Sequence, residues 1–182
     1  MLEVELKVRI PSPGPVRERL VRMNAESRGR VHEHDVYYNA PHRDFAVTDE
    51  AVRVRYGNGR AVVTYKGPKI RSYGLKAREE LNIAVESGES FEQMLMRLGF
   101  TRTLTVDKER ETYRLGAATV SLDEVEGLGT FAEIEVIARE GAGDPAAAIG
   151  QIAREIGVEG EPILASYLEL LLAAQAPVKG QD

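Results

Sequence analysis

The chain has 182 residues, a length that suits one domain with a real core and argues against two. Hydrophobic residues make up 43% and charged residues 29%, the balance of a folded chain rather than a disordered or fibrous one. The formal charge is -5, from 24 basic and 29 acidic residues, which argues against a protein that coats nucleic acid.

No apolar run approaches the ~18 residues of a membrane span, so no membrane partner is expected. The opening Met1-Leu2-Glu3-Val4-Glu5 lacks the basic-then-apolar grading of a signal peptide, and a cytoplasmic protein is expected. The absence of cysteine excludes disulfides, thiolate metal sites, iron-sulfur clusters and cysteine nucleophiles together.

The first ten residues alternate, with Glu3, Glu5, Lys7 and Arg9 on one face of a strand and Leu2, Val4, Leu6, Val8 and Ile10 on the other. A helix is expected from Val16 to Glu26, with Val16, Leu20 and Met23 as its apolar stripe. Asp35 to Asn39 reads as a short β-prone segment and Pro41 to Asp44 as loop. Ala51 to Tyr56 and Arg60 to Lys66 form the arms of a hairpin closed at Gly57-Asn58-Gly59, where glycine and asparagine tolerate positive φ. Gly67 to Gly74 reads as loop and Leu75 to Val85 as strand, with Lys76, Arg78, Glu80 and Asn82 on one side. A helix is expected from Phe91 to Leu98, ended by Gly99.

Strands follow over Thr105 to Leu115, Ala118 to Val125 and Thr130 to Ala138. Two helices close the chain, Pro145 to Ile156 with Asp144 as N-cap, and Ser166 to Gln175, leaving 176–182 as a frayed tail. Strands and helices do not alternate regularly, which favours an α+β antiparallel architecture over a parallel sheet. The two strand-rich blocks hint at similar halves.

The charges are sorted by face. Collected from the strands, the cations are Lys7, Arg9, Arg53, Arg55, Lys66, Arg78, Lys108 and Arg110, and the anions Glu3, Glu5, Glu80, Asp123, Glu133 and Glu135. Exposed to water, they are the ordinary polar side of a sheet; turned inward, they line a channel while the apolar faces pack outward against helices. Like signs stand at i and i+2 in Glu3/Glu5, Arg53/Arg55, Lys108/Arg110 and Glu133/Glu135, where a purely structural surface gains more by mixing them. Carboxylate pairs suit Mg²⁺ or Mn²⁺, and arginine with lysine suits phosphate oxygens; both together describe a metal-bound polyphosphate.

An ordered series of motifs then resembles the CYTH, or triphosphate tunnel metalloenzyme, superfamily. Glu3-Val4-Glu5-Leu6-Lys7 resembles its ExExK signature, followed by Tyr37-Tyr38, Val52-Arg53-Val54-Arg55, Thr64-Tyr65-Lys66-Gly67-Pro68, Arg78-Glu79-Glu80 and Val106-Asp107-Lys108-Glu109-Arg110. The segment from Asp123 to Glu135 resembles the family's closing strands, and Ser166-Tyr167-Leu168-Glu169-Leu170-Leu171 its C-terminal helix. The stretch from Leu98 to Tyr113 and the Ser166-Tyr167 ending are most similar to the class IV adenylate cyclase branch.

The resemblance implies a single domain over residues 1–175, built as an antiparallel eight-stranded β-barrel with a charged lumen and helices outside. It implies a metal-dependent cyclisation of ATP to cyclic AMP and pyrophosphate; triphosphatases acting on inorganic, thiamine or nucleoside triphosphates share nearly the same lumen. A non-catalytic polyphosphate sensor is a third reading.

Glu3, Glu5, Glu133 and Glu135 are then the metal ligands, or else partners of lumenal arginines. Asp123 either holds a second metal or tethers a basic neighbour. Lys7, Arg53, Arg55, Lys66, Lys108 and Arg110 take the triphosphate, joined by Arg78 unless it orients Glu80. Glu5, Lys7, Arg110 and Glu135 are the expected catalytic set. His32-Glu33-His34-Asp35 reads as a solvated loop rather than a metal motif, and the paired glycines at 57/59, 127/129 and 141/143 as turns. Tyr37 and Tyr38 either stack on a base or pack, and the last helix is a core element or the face of a homodimer.

Overall fold

The computed structural model describes residues 2–72, 75–138, 141 and 143–175; Tyr73, Gly74, Ala142 and the expected tail 176–182 lie outside them. The elements in chain order are β1 (Leu2–Arg9), α1 (Gly14–Arg22), β2 (Glu26–Asn39), α2 (Phe45–Thr48), β3 (Ala51–Gly57), β4 (Arg60–Lys66), β5 (Ile70–Ser72) and β6 (Leu75–Val85). They continue as α3 (Gly88–Arg97), β7 (Thr101–Leu115), β8 (Ala118–Val125), β9 (Gly129–Ile137), α4 (Pro145–Ile156) and α5 (Tyr167–Gln175).

The strands hydrogen-bond in the order β1-β9-β8-β7-β2-β3-β4-β6, and β6 pairs back onto β1, so eight antiparallel strands close a barrel. The closing register sets Glu3 opposite Arg78 and Glu5 opposite Lys76. Closure removes the sheet edges that would otherwise be free to pair elsewhere. Short β5 extends the line of β4 along β6, pairing Ile70 with Ala77.

Alternation turns the apolar face of nearly every strand outward. Val4, Leu6 and Val8 of β1, Val120 and Leu122 of β8 and Ala132 and Ile134 of β9 are buried in one core with Val16 and Leu20 of α1 and Ile149, Ala153 and Ile156 of α4. A second core packs Val36, Tyr38 and Val54 against Leu95 of α3. The third lies at one end of the barrel, where Tyr37, Val106, Val125 and Phe131 meet Tyr167 at the start of α5. Inward positions are thus charged along most of the barrel and apolar where α5 closes it.

The hairpin between β3 and β4 turns at Asn58 and Gly59 with φ of 51° and 68°, the mirror-image turn expected of that sequence. Asp144 caps α4 through the Ala146 amide. Helix α1 is shorter than expected. It stops at Arg22 because Asn24 turns left-handed (φ 55°) and feeds β2 at Glu26.

Strand β2 corrects the sequence reading most. It has 14 residues rather than five, and His32 to Asp35, expected as loop, lie within it. Its first half pairs with β7 at the barrel rim, largely exposed, so the apolar alternation that marks a strand is missing there. Strand β7 likewise begins at Thr101 rather than Thr105, α3 begins at Gly88 rather than Phe91, β5 falls where loop was expected, and α2 follows the expected Pro41 to Asp44 loop in a stretch with no expected element.

Helix α3 is fixed by Glu92, which is buried and accepts hydrogen bonds from Tyr38, Tyr56 and Arg102. Burial alone would raise the Glu92 pKa, but these donors outweigh it and hold the carboxylate below its ordinary range. A lowered folded-state pKa gives stability that is present above the unfolded value and fades as pH falls. Glu92→Ala, which leaves the buried Tyr38 phenol and the half-buried Tyr56 phenol without their acceptor, is expected to cost about 2–3 kcal/mol at pH 7 by chemical denaturation. Its gap from the parent should narrow as pH is lowered through the carboxylate range.

Candidate active site: the charged tunnel

The barrel interior holds a cavity of about 240 Å³. Eight cations line it: Lys7 from β1, Arg53 and Arg55 from β3, Lys66 from β4, Lys76 and Arg78 from β6, and Lys108 and Arg110 from β7. Five carboxylates face them: Glu3 and Glu5 from β1, Glu80 from β6, and Glu133 and Glu135 from β9. The two-residue period of a strand produces this, since each like-charged i, i+2 pair falls on one face and closure turns that face inward.

Of the residues singled out in the sequence, Arg9 and Asp123 are not on the cavity wall. Arg9 is exposed and lies over the Phe131 ring at 4.6 Å, at the barrel rim. Asp123 is fully buried on the inward face of β8 at the α5 end, where it accepts from Arg110 Nε at 2.7 Å and from the Tyr167 hydroxyl at 2.9 Å. Those contacts are the ones a tether makes. Tyr37 packs in the apolar end cluster, and Tyr38 faces outward to Glu92.

Sequence reasoning passed over Lys76, Glu33 and Asp35. Lys76 Nζ lies 2.7 Å from Glu5 Oε1. Asp35, 1% exposed, accepts from Arg55 Nε at 2.6 Å and stands 3.3 Å from Arg53 and 3.4 Å from Lys108. Glu33 lies 3.0 Å from both Arg55 and Lys108. The signal was present in the alternation of Glu33, Asp35 and Tyr37 against His34, Val36 and Tyr38, hidden by the loop reading of that stretch. His34 stands on the other face, its Nδ1 2.7 Å from Asp107.

The tunnel therefore has two electrostatic halves. On the β2–β3–β7 wall, burial of Asp35 is outweighed by Arg53, Lys108 and Arg55, which hold its carboxyl well below the usual range. Glu133 is held well below it too, against burial, by Arg110, Lys7, Lys76 and Lys108. Across the tunnel, burial together with Glu135 and Glu80 pushes Glu3 up to about 7, and burial with Glu5 and Glu133 raises Glu135. Burial and the neighbouring Arg53 bring Lys66 down to about 8 despite its ion pair with Glu80.

Carboxyl groups that crowd one another and resist ionising mark a place short of positive charge. Among the described residues no three of His, Asp and Glu converge closely enough to hold a metal ion by themselves. A hard divalent ion bound by one or two carboxylates and completed by substrate phosphate oxygens fits Glu3 and Glu135, with Glu5 beside them. Glu5 and Glu133 are committed to cations: Glu5 to Lys76, and Glu133 to Arg110 and to Lys7 at 3.4 Å.

A closed antiparallel barrel whose lumen crowds eight cations and five carboxylates around one cavity defines a container for a polyanion with its counter-ion. The chain belongs to the CYTH family, whose domain model matches residues 1–167. Members of this family are adenylate cyclases or triphosphatases, and membership implies a divalent metal.

A Methanocaldococcus jannaschii protein named "Putative adenylate cyclase" is 41% identical over 135 residues, covering 74% of this chain and 77% of that one. Adenylate cyclase CyaB of Aeromonas hydrophila is 28% identical over 138 residues, covering 74% and 69%. A solved structure from Pyrococcus horikoshii superposes with a TM-score of 0.83 at 40% identity, covering 95% of this chain and 99% of that one. The fold is shared at 20% identity and a TM-score of 0.73 by a Hippeastrum adenylyl cyclase candidate described as having a dominant triphosphatase activity, covering 98% and 100%.

Removing Asp35 leaves Arg53, Arg55 and Lys108 short of a counter-charge in a buried wall. Asp35→Ala is expected to cost about 3–5 kcal/mol in denaturant unfolding. Glu135→Gln should move stability the other way. A raised folded-state pKa means that ionisation of Glu135 opposes folding as pH rises, so the metal-free variant should melt at or above the parent temperature at pH 7–8.

Proposed function

We propose that the protein is a metal-dependent adenylate cyclase that converts ATP to 3′,5′-cyclic AMP and pyrophosphate, with the triphosphate held in the tunnel. The observation that carries the reading is the convergence of eight cations from five strands on one small enclosed cavity with crowded carboxylates. Arginine forks and lysine ammonium groups on opposite sides of a chain of phosphates bind its oxygens and fix its direction. The names of the relatives from M. jannaschii and A. hydrophila support cyclisation over the other activities.

Catalysis in such a site is positioning plus electrostatics. Lys7, Arg53, Arg55, Lys66, Arg78, Lys108 and Arg110 hold the triphosphate. Cyclisation places the 3′-hydroxyl in line with the α-phosphorus and the departing pyrophosphate, and Lys7 and Arg110 neutralise charge that grows on the leaving oxygens. Arg110 is rigid for this task because Asp123 and Glu133 both hold its guanidinium. A Mg²⁺ or Mn²⁺ ion held by Glu3 and Glu135, next to Glu5 and Glu133, would supply Lewis-acid stabilisation of phosphate charge.

Hydrolysis of a triphosphate is the competing reading. It is favoured by the scarcity of apolar wall, since among the described residues only Tyr37, Ala51 and Tyr167 offer the cavity an apolar surface for a base. Incubation with ATP and Mg²⁺ or Mn²⁺, followed by separation of products, decides between them. Cyclic AMP with pyrophosphate is the expected result. ADP with orthophosphate, or turnover of tripolyphosphate alone, overturns cyclisation in favour of hydrolysis, and tight binding without turnover makes the protein a sensor.

Glu5→Ala and Glu135→Gln are each expected to lower turnover by roughly 10²-fold or more without loss of the fold. Unchanged turnover in either variant removes that carboxylate from the site. Arg53→Ala should raise KM and lower kcat together.

A further inference from the structure

Helix α5 stands outside the barrel wall, and the sequence marks it only as a core or dimer-face element. Its first turn nevertheless touches the tunnel cations by two separate routes. The first runs through Tyr167, which is 6% exposed. Lys7 Nζ lies 4.1 Å from the centre of its ring and Lys108 Nζ 5.4 Å. Its hydroxyl donates to Asp123, whose other oxygen accepts from Arg110 Nε. The residue just before the turn joins in, because the Ala165 carbonyl accepts from Lys7 Nζ at 3.0 Å.

The second route runs through Glu169. Ser166 and Glu169 form a reciprocal cap, with the Ser166 amide donating to Glu169 Oε2 at 2.7 Å and the Glu169 amide to Ser166 Oγ at 3.2 Å. The other oxygen of Glu169 takes Lys69 Nζ at 2.6 Å. Lys69 also meets Asp49 at 2.8 Å, and Asp49 accepts from the Arg78 guanidinium at 2.7 Å.

We infer that the first turn of α5 is a positioning cap for the tunnel: Tyr167 sets the directions of Lys7, Lys108 and Arg110, and Glu169 sets Arg78 through Lys69 and Asp49. Neither residue touches the reacting atoms on this account; each acts through cations already in place.

The physical need is plain. Like-charged side chains in one lumen repel, and long lysine stems have many rotamers, so a triphosphate would have to order them as it binds. An aromatic face attracts ammonium groups without neutralising them and occupies none of their N–H donors, which Lys7 otherwise turns to Glu133 and Ala165 and Lys108 to Glu33 and Asp35. A carboxylate in the same position would hold the lysines as well and compete with the ligand. Tyr167 is itself anchored by Phe131, ring to ring at 5.1 Å, so its orientation does not depend on a bound ligand.

The inference rests on the reading that the tunnel holds a triphosphate, and the test separates the two. Binding of inorganic tripolyphosphate with Mg²⁺ is measured by calorimetry on the full chain, parent and variants, with the melting temperature of each recorded. Failure of the parent to bind overturns the tunnel reading and this one with it.

With a binding parent, Tyr167→Leu is expected to weaken affinity roughly tenfold and Tyr167→Phe only two- to fivefold, since phenylalanine keeps the ring and loses the hydroxyl. In a Lys7→Met background the cost of Tyr167→Leu should shrink, because one of the cations it acts through is gone; a purely structural Tyr167 gives additive losses. Glu169→Gln retains the ring and should weaken affinity two- to threefold by the other route. Unchanged affinity in Tyr167→Leu and Glu169→Gln overturns the proposal, as does a loss in Tyr167→Leu that is additive with Lys7→Met.

Discussion

Closing a sheet around its charged face is the constraint from which the rest of this structure follows. A charge taken out of water is costly unless another offsets it, and the tunnel contains more than a dozen charged side chains. The cost is met locally where Asp35, Glu33, Asp123 and Glu133 each serve more than one cation or hold one from behind. It is met least around Glu3 and Glu135, where burial and neighbouring carboxylates raise the pKa of both groups. A protein selected for stability alone would have no reason to keep that imbalance. A protein that receives a cation and a polyphosphate would.

The same constraint explains why the helices sit where they do. With the lumen given to charge, the apolar faces of the strands must be covered from outside. Helices α1 and α4 do so over β1, β8 and β9, and α3 over β2 and β3. This inverts the usual small barrel, whose interior is filled by apolar side chains. At the α5 end the interior becomes apolar, and there Phe131 and Tyr167 replace charge with a packed closure. The tunnel is thus capped by the element that also steadies its cations.

The acidic total of the chain and the basic lining of the cavity are compatible, because net charge describes the sum and a binding site reads only its own field. Cations outnumber carboxylates on the cavity wall, and the acidic excess resides elsewhere on the chain. Such a sorting disfavours a long nucleic acid, which needs a basic track outside, and suits a small polyanion drawn inside with its counter-ion.

Much of this was legible in the residue order. Strict alternation in β1, the Asn58-Gly59 turn and the like-charged pairs on β1, β3, β7 and β9 are local features, and each strand declared its own two faces. Which face points inward is not a local property. It follows from the register between β1 and β6, a contact between residues more than seventy positions apart that closes the barrel and sets Glu3 opposite Arg78. Glu33 and Asp35 escaped notice because the half of β2 that precedes them is exposed and held by pairing with β7, so the start of the strand, and with it the face these two residues share, was hidden. Lys76, Tyr167 and Asp49 took their parts only when distant segments met around the lumen. The sequence by itself determined which residue types alternate and therefore what chemistry each strand carries; the tertiary structure alone decided which of those residues share one cavity, because closure depends on long-range register that no single segment encodes.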